Sequence, residues 1–134
     1  MRILNTSNSI ANNYLAELRN IEVQTDRLRF RTNLQRLGTL MAYEISKSLA
    51  YKTTEIQTPL AKTSEQTISD SIALVSILRA AIPFMNGFLE VFDNAEVGFI
   101  GAWRKEETDN IEVALEYTAA PNINDKTLIL IDPM

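Results

Sequence analysis

The stretch that decides the fold is T-L-I-L-I-D-P-M at Thr127–Met134. Its first five residues form a nearly continuous apolar run of strong β-preference, which is typical of a parallel strand covered on both faces. Pro133 cannot donate a backbone hydrogen bond, so the strand must end near Asp132. Ligands of open α/β sheets bind outside the carboxyl ends of the strands, so Asp132 is a candidate functional residue. Because a parallel strand normally leads into a crossover helix, and the sequence stops here, we expect a domain interrupted at its active site.

The rest of the chain predicts further strands and helices around this strand. The near-continuous apolar runs Ile72–Leu78 and Val97–Trp103 indicate two more buried strands. The spacing of apolar residues and the turn residues between them predict helices over Ser7–Asn20, Asp26–Ala50 and Ala80–Phe92, strands over Thr53–Thr58 and Ile111–Tyr117, and a loop or short edge strand over Ala61–Ser71. This order predicts a single α/β domain over 1–134, with a mainly parallel sheet, helices on its faces and one antiparallel hairpin.

Composition excludes several classes of function. The 134 residues are enough for one domain with a real core, and they include no cysteine and no histidine. Disulfides, thiolate metal sites, cysteine nucleophiles and histidine general bases are therefore excluded. No apolar stretch approaches the roughly 18 residues of a membrane span, and Met1–Asn5 turns polar too soon for a signal peptide. We expect a cytoplasmic protein that does not bind membranes.

Charge is unevenly distributed along the chain. Residues 1–59 carry 8 basic and 5 acidic side chains, whereas residues 60–134 carry 5 basic and 12 acidic side chains. An acidic second half argues against a nucleic-acid-binding surface, which needs a basic face. A small phosphorylated ligand is compatible with this distribution, because it requires only one or two well-placed arginines.

A charged residue follows each of the three apolar runs: Arg79, Arg104 and Asp132. If the strands are parallel neighbours, these residues converge on one edge of the sheet. Two guanidinium groups suit phosphate oxygens, and a neighbouring carboxylate suits Mg²⁺ or a sugar hydroxyl. The alternative is that strands end at the surface, where charged side chains are common for reasons unrelated to function. From the residues alone, both interpretations stay open.

Three motifs resemble uracil phosphoribosyltransferase, a type I phosphoribosyltransferase. They are I-L-R-A-A-I-P at Ile77–Pro83, W-R-K-E-E-T at Trp103–Thr108 and L-I-L-I-D-P-M at Leu128–Met134. The segments Arg31–Ile45 and Thr58–Leu60 fit the same family in order and spacing, so the resemblance covers essentially the whole chain. It implies a Rossmann-like α/β core with an N-terminal helical pair and a β-arm hairpin. It also implies a glycosyltransferase of pyrimidine salvage that uses Mg²⁺, converts uracil and phosphoribosyl pyrophosphate to UMP and pyrophosphate, and forms a homodimer or higher homo-oligomer.

The resemblance assigns site residues one by one. Arg79 and Arg104 match the arginines that contact phosphoribosyl pyrophosphate, and Asp132, Pro133 and Met134 match the first part of the loop that holds the ribose and its 5-phosphate. Residues 103–121 resemble the β-arm that takes part in dimer contacts. The resemblance assigns no metal ligand, no catalytic residue and no uracil-binding residue within this chain.

Two departures from the family pattern bear on activity. Ala81 stands where the family usually has glycine, and its Cβ would hinder ligand binding if φ were positive there. The C-terminal segment that recognises uracil in the family is absent from the sequence, so we expect the 134-residue chain alone to be inactive. Two alternatives therefore remain: a non-catalytic truncated fragment, and a regulatory nucleotide-binding protein on the same scaffold.

Overall fold

The computed structural model describes residues 3–105 and 112–133. After a short 3₁₀ turn at Leu4–Thr6, the helices and strands follow in this order: α1 (Ile10–Arg19), α2 (Arg27–Ser46), β1 (Tyr51–Gln57), β2 (Lys62–Ile68), β3 (Ile72–Leu78), α3 (Ala81–Leu89), β4 (Glu96–Lys105), β5 (Glu112–Ala119) and β6 (Thr127–Ile131). All of the predicted helices and strands are present, although α2 ends at Ser46 and not at the predicted Ala50.

Side-chain caps fix the starts of the first two helices. The Ser9 hydroxyl accepts a hydrogen bond from the backbone N–H of Ala11. An oxygen of Asp26 accepts hydrogen bonds from the backbone N–H groups of Leu28 and Arg29, each at 3.0 Å. These caps satisfy backbone donors that have no partner within the helix, which explains why the helices begin where they do.

The main sheet has four strands in the order β5-β4-β3-β6. Strands β4 and β6 lie parallel to β3 on its two sides, and β5 lies antiparallel to β4. The predicted mainly parallel α/β sheet is confirmed. Strands β1 and β2 form a separate antiparallel hairpin, so the segment predicted as a loop or short edge strand is a full strand. The pattern gave no clear strand signal there because nearly all of β2 is exposed and has no apolar face.

Helices α2 and α3 pack together on one face of this sheet, which we call the helix face. Its core comprises Ile72, Leu74, Ile129 and Ile131 of the sheet with Ala42, Ala81, Met85, Phe88 and Phe92. The helices cross where Gly38 lies against Gly87. A Cβ on Gly87 would lie 2.0 Å from the carbonyl oxygen of Gln35, and one on Gly38 would lie 2.1 Å from that of Phe84. Only glycine permits this close backbone approach.

A polar contact joins the same two helices at the surface. Gln35 Nε2 donates a hydrogen bond to Glu90 Oε1 at 2.7 Å, and Thr39 Oγ1 donates one to Glu90 Oε2 at 2.8 Å. The hydrogen bonds from Thr39 and Gln35 lower the pKa of Glu90, because they favour its charged form. The carboxylate of Glu90 therefore links α2 to the end of α3.

The opposite face of the sheet, which we call the open face, is less covered. Residues of β6 that are paired with Ala73 and Val75 point to it, namely Leu128 and Leu130. Their side chains are 46% and 59% exposed, whereas the alternating residues Ile129 and Ile131 are buried. The prediction that this strand is buried on both faces is therefore wrong within the described structure, because no described residue covers Leu128 and Leu130 sufficiently to bury them.

Within residues 3–105 and 112–133, no helix is long and apolar enough to cross a membrane.

Candidate functional site

The carboxyl ends of β3 and β6 lie side by side at one edge of the sheet. Their last paired residues are Ser76 and Ile131, so Asp132 continues β6 beside the final residues of β3. Arg79 comes directly after β3. Arg79 and Asp132 therefore follow the ends of two neighbouring parallel strands, and their joint role in binding a ligand stays a prediction.

Arg79 lies in a connection of only two residues, between Leu78 at the end of β3 and Ala81 at the start of α3. Its side chain is exposed, and the peptide bond that precedes it is cis. Among the described residues, no carboxylate forms an ion pair with Arg79, and no side chain caps the first turn of α3. A guanidinium beside backbone N–H groups at a helix start is suited to an anion with several oxygens.

Ala81 does not adopt the conformation that would make its extra methyl group harmful. It is the first residue of α3 and is fully buried in the core on the helix face. Among the described non-glycine residues, positive φ occurs at Asp125 and not at Ala81. Its Cβ therefore contributes to the core, and the departure from the family glycine requires no strained backbone at the start of the helix.

Arg104 lies farther along its strand than the sequence predicted. Strand β4 continues to Lys105, so Arg104 lies within the strand, paired with Val113 of β5, and does not follow its end. Pairing with β3 stops at Gly101, which leaves the Arg104 backbone roughly 10 Å beyond that point. The expectation that Arg104 terminates a strand is therefore wrong, because pairing with β5 extends β4 past the end of β3. Its contact with a ligand stays a prediction.

The residues after β6 are described in part. Asp132 is exposed, Pro133 is half-buried, and Met134 lies outside the described residues. Asp132 and Pro133 also line a pocket of about 380 Å³ on the helix side of the sheet, formed mainly by apolar side chains of the N-terminal segment and the three helices. Arg79 does not line this pocket. An apolar lining suits a hydrophobic group and not a phosphate.

Candidate metal ligands are sparse in the described ranges. No group of three or more acidic residues there is close enough to hold a metal ion. A protein cage for Mg²⁺ is not needed where the ion arrives with a phosphorylated substrate, since it then binds through one or two carboxylates and the phosphates themselves. Asp132 at the sheet edge fits the role of such a single carboxylate.

Comparison with known proteins gives the family. The family model described as uracil phosphoribosyltransferase matches residues 5–134. The chain belongs to the uracil phosphoribosyltransferase family. It is 42% identical over 132 residues to a curated uracil phosphoribosyltransferase of Porphyromonas gingivalis, and 41% identical over 111 residues to that of Methanothermobacter thermautotrophicus. The matches cover 98% and 81% of this chain but 61% and 51% of those relatives. The chain thus spans only part of the length of these family members.

A solved structure agrees with the fold. The structure of AQ2163 protein from Aquifex aeolicus superposes with a TM-score of 0.85 at 29% sequence identity. The superposition covers 98% of this chain and 62% of that one. The α/β arrangement of this uracil phosphoribosyltransferase family member is therefore that of a known fold, and the similarity extends over nearly all of its residues.

Proposed function

We propose that this chain forms the phosphoribosyl pyrophosphate-binding part of a uracil phosphoribosyltransferase that acts in pyrimidine salvage. The observation that carries the proposal is the placement of Arg79 at the uncapped start of α3, next to Asp132 on a neighbouring parallel strand end. Nearly the whole chain matches the family, which supports the same assignment. In the reaction the ribose C1–oxygen bond to pyrophosphate breaks and a bond from C1 to a uracil ring nitrogen forms. The proton on that nitrogen passes to solvent.

Arg79 binds the pyrophosphate group in this proposal. Negative charge grows on the leaving pyrophosphate as the C1–oxygen bond breaks, and a fixed guanidinium stabilises that charge. The backbone N–H of Ala81 adds a further donor to the same oxygens, whereas Pro83 has no N–H and that of Ile82 donates to the carbonyl oxygen of Arg79. Because one short connection holds both, little reorganisation is needed when the charge develops.

Asp132 binds the ribose side of the substrate. Its carboxylate accepts hydrogen bonds from sugar hydroxyl groups, and Pro133 and Met134 continue the loop that surrounds the ribose and its 5-phosphate. Mg²⁺ bound to the substrate's pyrophosphate would neutralise part of its charge, and Asp132 would supply an oxygen ligand. Arg104, carried on the β4–β5 hairpin, reaches the pyrophosphate from a second direction.

Uracil recognition is not assigned to any residue of this chain. The relatives are longer than the match, and we assign uracil binding to the part of the family fold that this chain does not span. We also propose a cytoplasmic homodimer or higher homo-oligomer, with small-molecule substrates and no nucleic-acid or membrane partner. The β4–β5 hairpin is the assigned contact between subunits.

Binding of phosphoribosyl pyrophosphate to the 134-residue chain tests this function. Isothermal titration calorimetry with Mg²⁺ present should detect binding, and Arg79→Ala should weaken it about tenfold or more, because charge-assisted hydrogen bonds are lost. Arg31→Ala is the matched control, since Arg31 is an exposed arginine of α2 and does not follow a strand of the sheet. Equal affinities for the wild-type chain and Arg79→Ala would contradict the assignment.

A second candidate function is that of a non-catalytic fragment. The coverage of 61% of the Porphyromonas gingivalis enzyme favours it, because a large part of that enzyme has no counterpart here. We expect the chain, given uracil, phosphoribosyl pyrophosphate and Mg²⁺, to bind the phosphorylated substrate without forming UMP. Formation of UMP by the chain alone would show that uracil recognition lies within these residues.

A further inference from the structure

The pocket beside Pro133 on the helix side of the sheet is not used by the proposed reaction. Its volume is about 380 Å³, which is at the lower end of the range of roughly 300–1,000 Å³ for small-molecule sites. Nine of the twelve described residues that line it are apolar, and they come from the N-terminal segment, from all three helices and from Pro133. A pocket of this size and lining suits one short apolar group.

Contacts with α2 hold in place the wall that α1 contributes to this pocket. The Glu17 carboxylate accepts hydrogen bonds from Asn33 Nδ2 at 2.6 Å and from Arg29 Nη1 at 3.2 Å. The guanidinium group of Arg36 lies over the ring of Tyr14, 5.1 Å from its centroid. Asn33 is 1% exposed, so its hydrogen bond to Glu17 is sheltered from water. Because α1 is already fixed, binding of a ligand would require little ordering of this wall.

Arg19, the last residue of α1, gives the pocket a charged rim. Its side chain is exposed, and no described residue forms an ion pair or a side-chain hydrogen bond with it. Asp132 also lines the pocket, but it already takes part in a polar contact. A guanidinium group can bind a carboxylate through two parallel hydrogen bonds. The charge at the rim is therefore complementary to an anionic head group, which would stay in contact with water there.

We propose that this pocket binds an aliphatic carboxylate of medium chain length. The hydrocarbon chain lies between α1, α2 and the N-terminal segment, and the carboxylate lies beside Arg19. Burial of each methylene group should tighten binding about threefold to fourfold until the pocket is full. Replacement of the carboxylate by a hydroxyl group should weaken binding about fivefold, because the exposed ion pair with Arg19 is lost. The proposal concerns binding at this pocket and does not depend on the reaction.

Titration of the 134-residue chain with octanoate, followed by two-dimensional ¹H–¹⁵N NMR, reports the affinity and the location of binding together. We expect saturable chemical-shift changes at Leu15, Leu18 and Arg19, which line the pocket. No change is expected at Leu60, which is 97% exposed at the end of the β1–β2 hairpin. Hexanoate should bind about tenfold more weakly than octanoate, and octanol about fivefold more weakly.

Two pairs of variants test the contacts with the chain and with the head group. Leu18→Gln should weaken octanoate binding about tenfold, because it places an amide in the apolar lining, whereas Leu60→Gln should leave binding unchanged. Arg19→Gln should weaken octanoate binding about fivefold, to the affinity for octanol. Arg31→Gln should not, since Arg31 is an exposed arginine that does not line the pocket. If Leu18→Gln does not fold, the chain-length series and Arg19→Gln decide the result.

Several results would overturn the proposal. They are chemical-shift changes spread over the exposed surface, equal affinities for hexanoate and octanoate, equal affinities of the wild type and Arg19→Gln for octanoate, and tighter binding of octylamine than of octanoate. Chemical-shift changes at the lining residues that grow with the concentration of the chain alone would overturn it in favour of a second copy that occupies this pocket.

Discussion

Helices α2 and α3 and the hairpin β1–β2 are near one another in the chain, but different interactions hold them. The helices meet at backbone contact between Gly38 and Gly87 and bury the main core against the sheet. The hairpin strands pair along their full length, yet nearly all of their residues are exposed. An isolated two-stranded hairpin is only marginally stable. The free energy of unfolding should therefore depend on the helix layer, while the hairpin remains available for contacts with other molecules.

Among the variants that test this difference, Gly87→Ala should cause the largest loss in the free energy of unfolding. Its new Cβ would lie 2.0 Å from a carbonyl oxygen of α2, so the two helices must separate. We expect a loss of about 3 kcal/mol in the free energy of unfolding, measured by urea denaturation.

The matched control for that variant is Asn86→Ala, at an exposed position of the same helix. It should stay within about 0.5 kcal/mol of the wild type. Similar losses for the two variants would mean that the close crossing of α2 and α3 does not hold the domain together.

Thr54→Ala tests the local stability of the β1–β2 hairpin, and its expected effect is smaller. The hydroxyl groups of Thr54 and Thr67 share a hydrogen bond of 2.6 Å across the two strands. Loss of this hydrogen bond should speed amide hydrogen exchange within β1 and β2, because it lowers the free energy of local opening of the hairpin by about 0.5 kcal/mol. Exchange in β3 should not change, because opening of the hairpin leaves the core intact. Faster exchange in β3 would show that the hairpin and the sheet unfold together.

Glu90→Gln should have the smallest effect, and a pH-dependent one. Hydrogen bonds from Thr39 and Gln35 lower the pKa of Glu90 in the folded chain, so this stabilisation is present above the unfolded-state pKa and lost as pH falls through the lowered value. The melting temperature of the wild type should therefore fall more than that of Glu90→Gln between about pH 5 and pH 3. We expect a difference of only a few tenths of a kcal/mol, because the group is exposed and screened by solvent.

Thr39→Val removes one of the two donors to Glu90. It should therefore reduce the pH dependence in the same direction as Glu90→Gln. Parallel melting curves for all three proteins across this pH range would show that the carboxylate does not link the helices energetically.

Sequence patterns predicted the strands that build the site. The apolar runs at Ile72–Leu78 and Thr127–Ile131 are strands with these bounds, and the charged residues after them, Arg79 and Asp132, share one edge of the sheet. These predictions succeeded because a run of apolar β-formers reports burial, and a charge or proline reports its end. The helix predicted to begin at Asp26 starts at Arg27, and Asp26 is its cap.

Features that depend on a distant partner could not be predicted in the same way. The strand end near Arg104 is set by continued pairing with β5, which the local sequence of β4 does not encode. The exposure of Leu128 and Leu130 depends on whether a covering element is present, whereas their apolar character reports only that they require one. The requirement for glycine at positions 38 and 87 likewise follows from the crossing of two helices and not from local propensity.

The close crossing of α2 and α3 also has a mechanical consequence for Arg79. Neither helix can slide past the other without a backbone collision, so we expect α2 and α3 to move as one rigid body. Helix α3 begins only two residues after Arg79. Strand β3 anchors the other side of that connection. A conformational change on ligand binding at Arg79 would therefore either move both helices together or be confined to Arg79 and Ala80. In the second case the anion meets a backbone whose conformational entropy was already lost on folding, and the cost of ordering the site at the moment of binding is small.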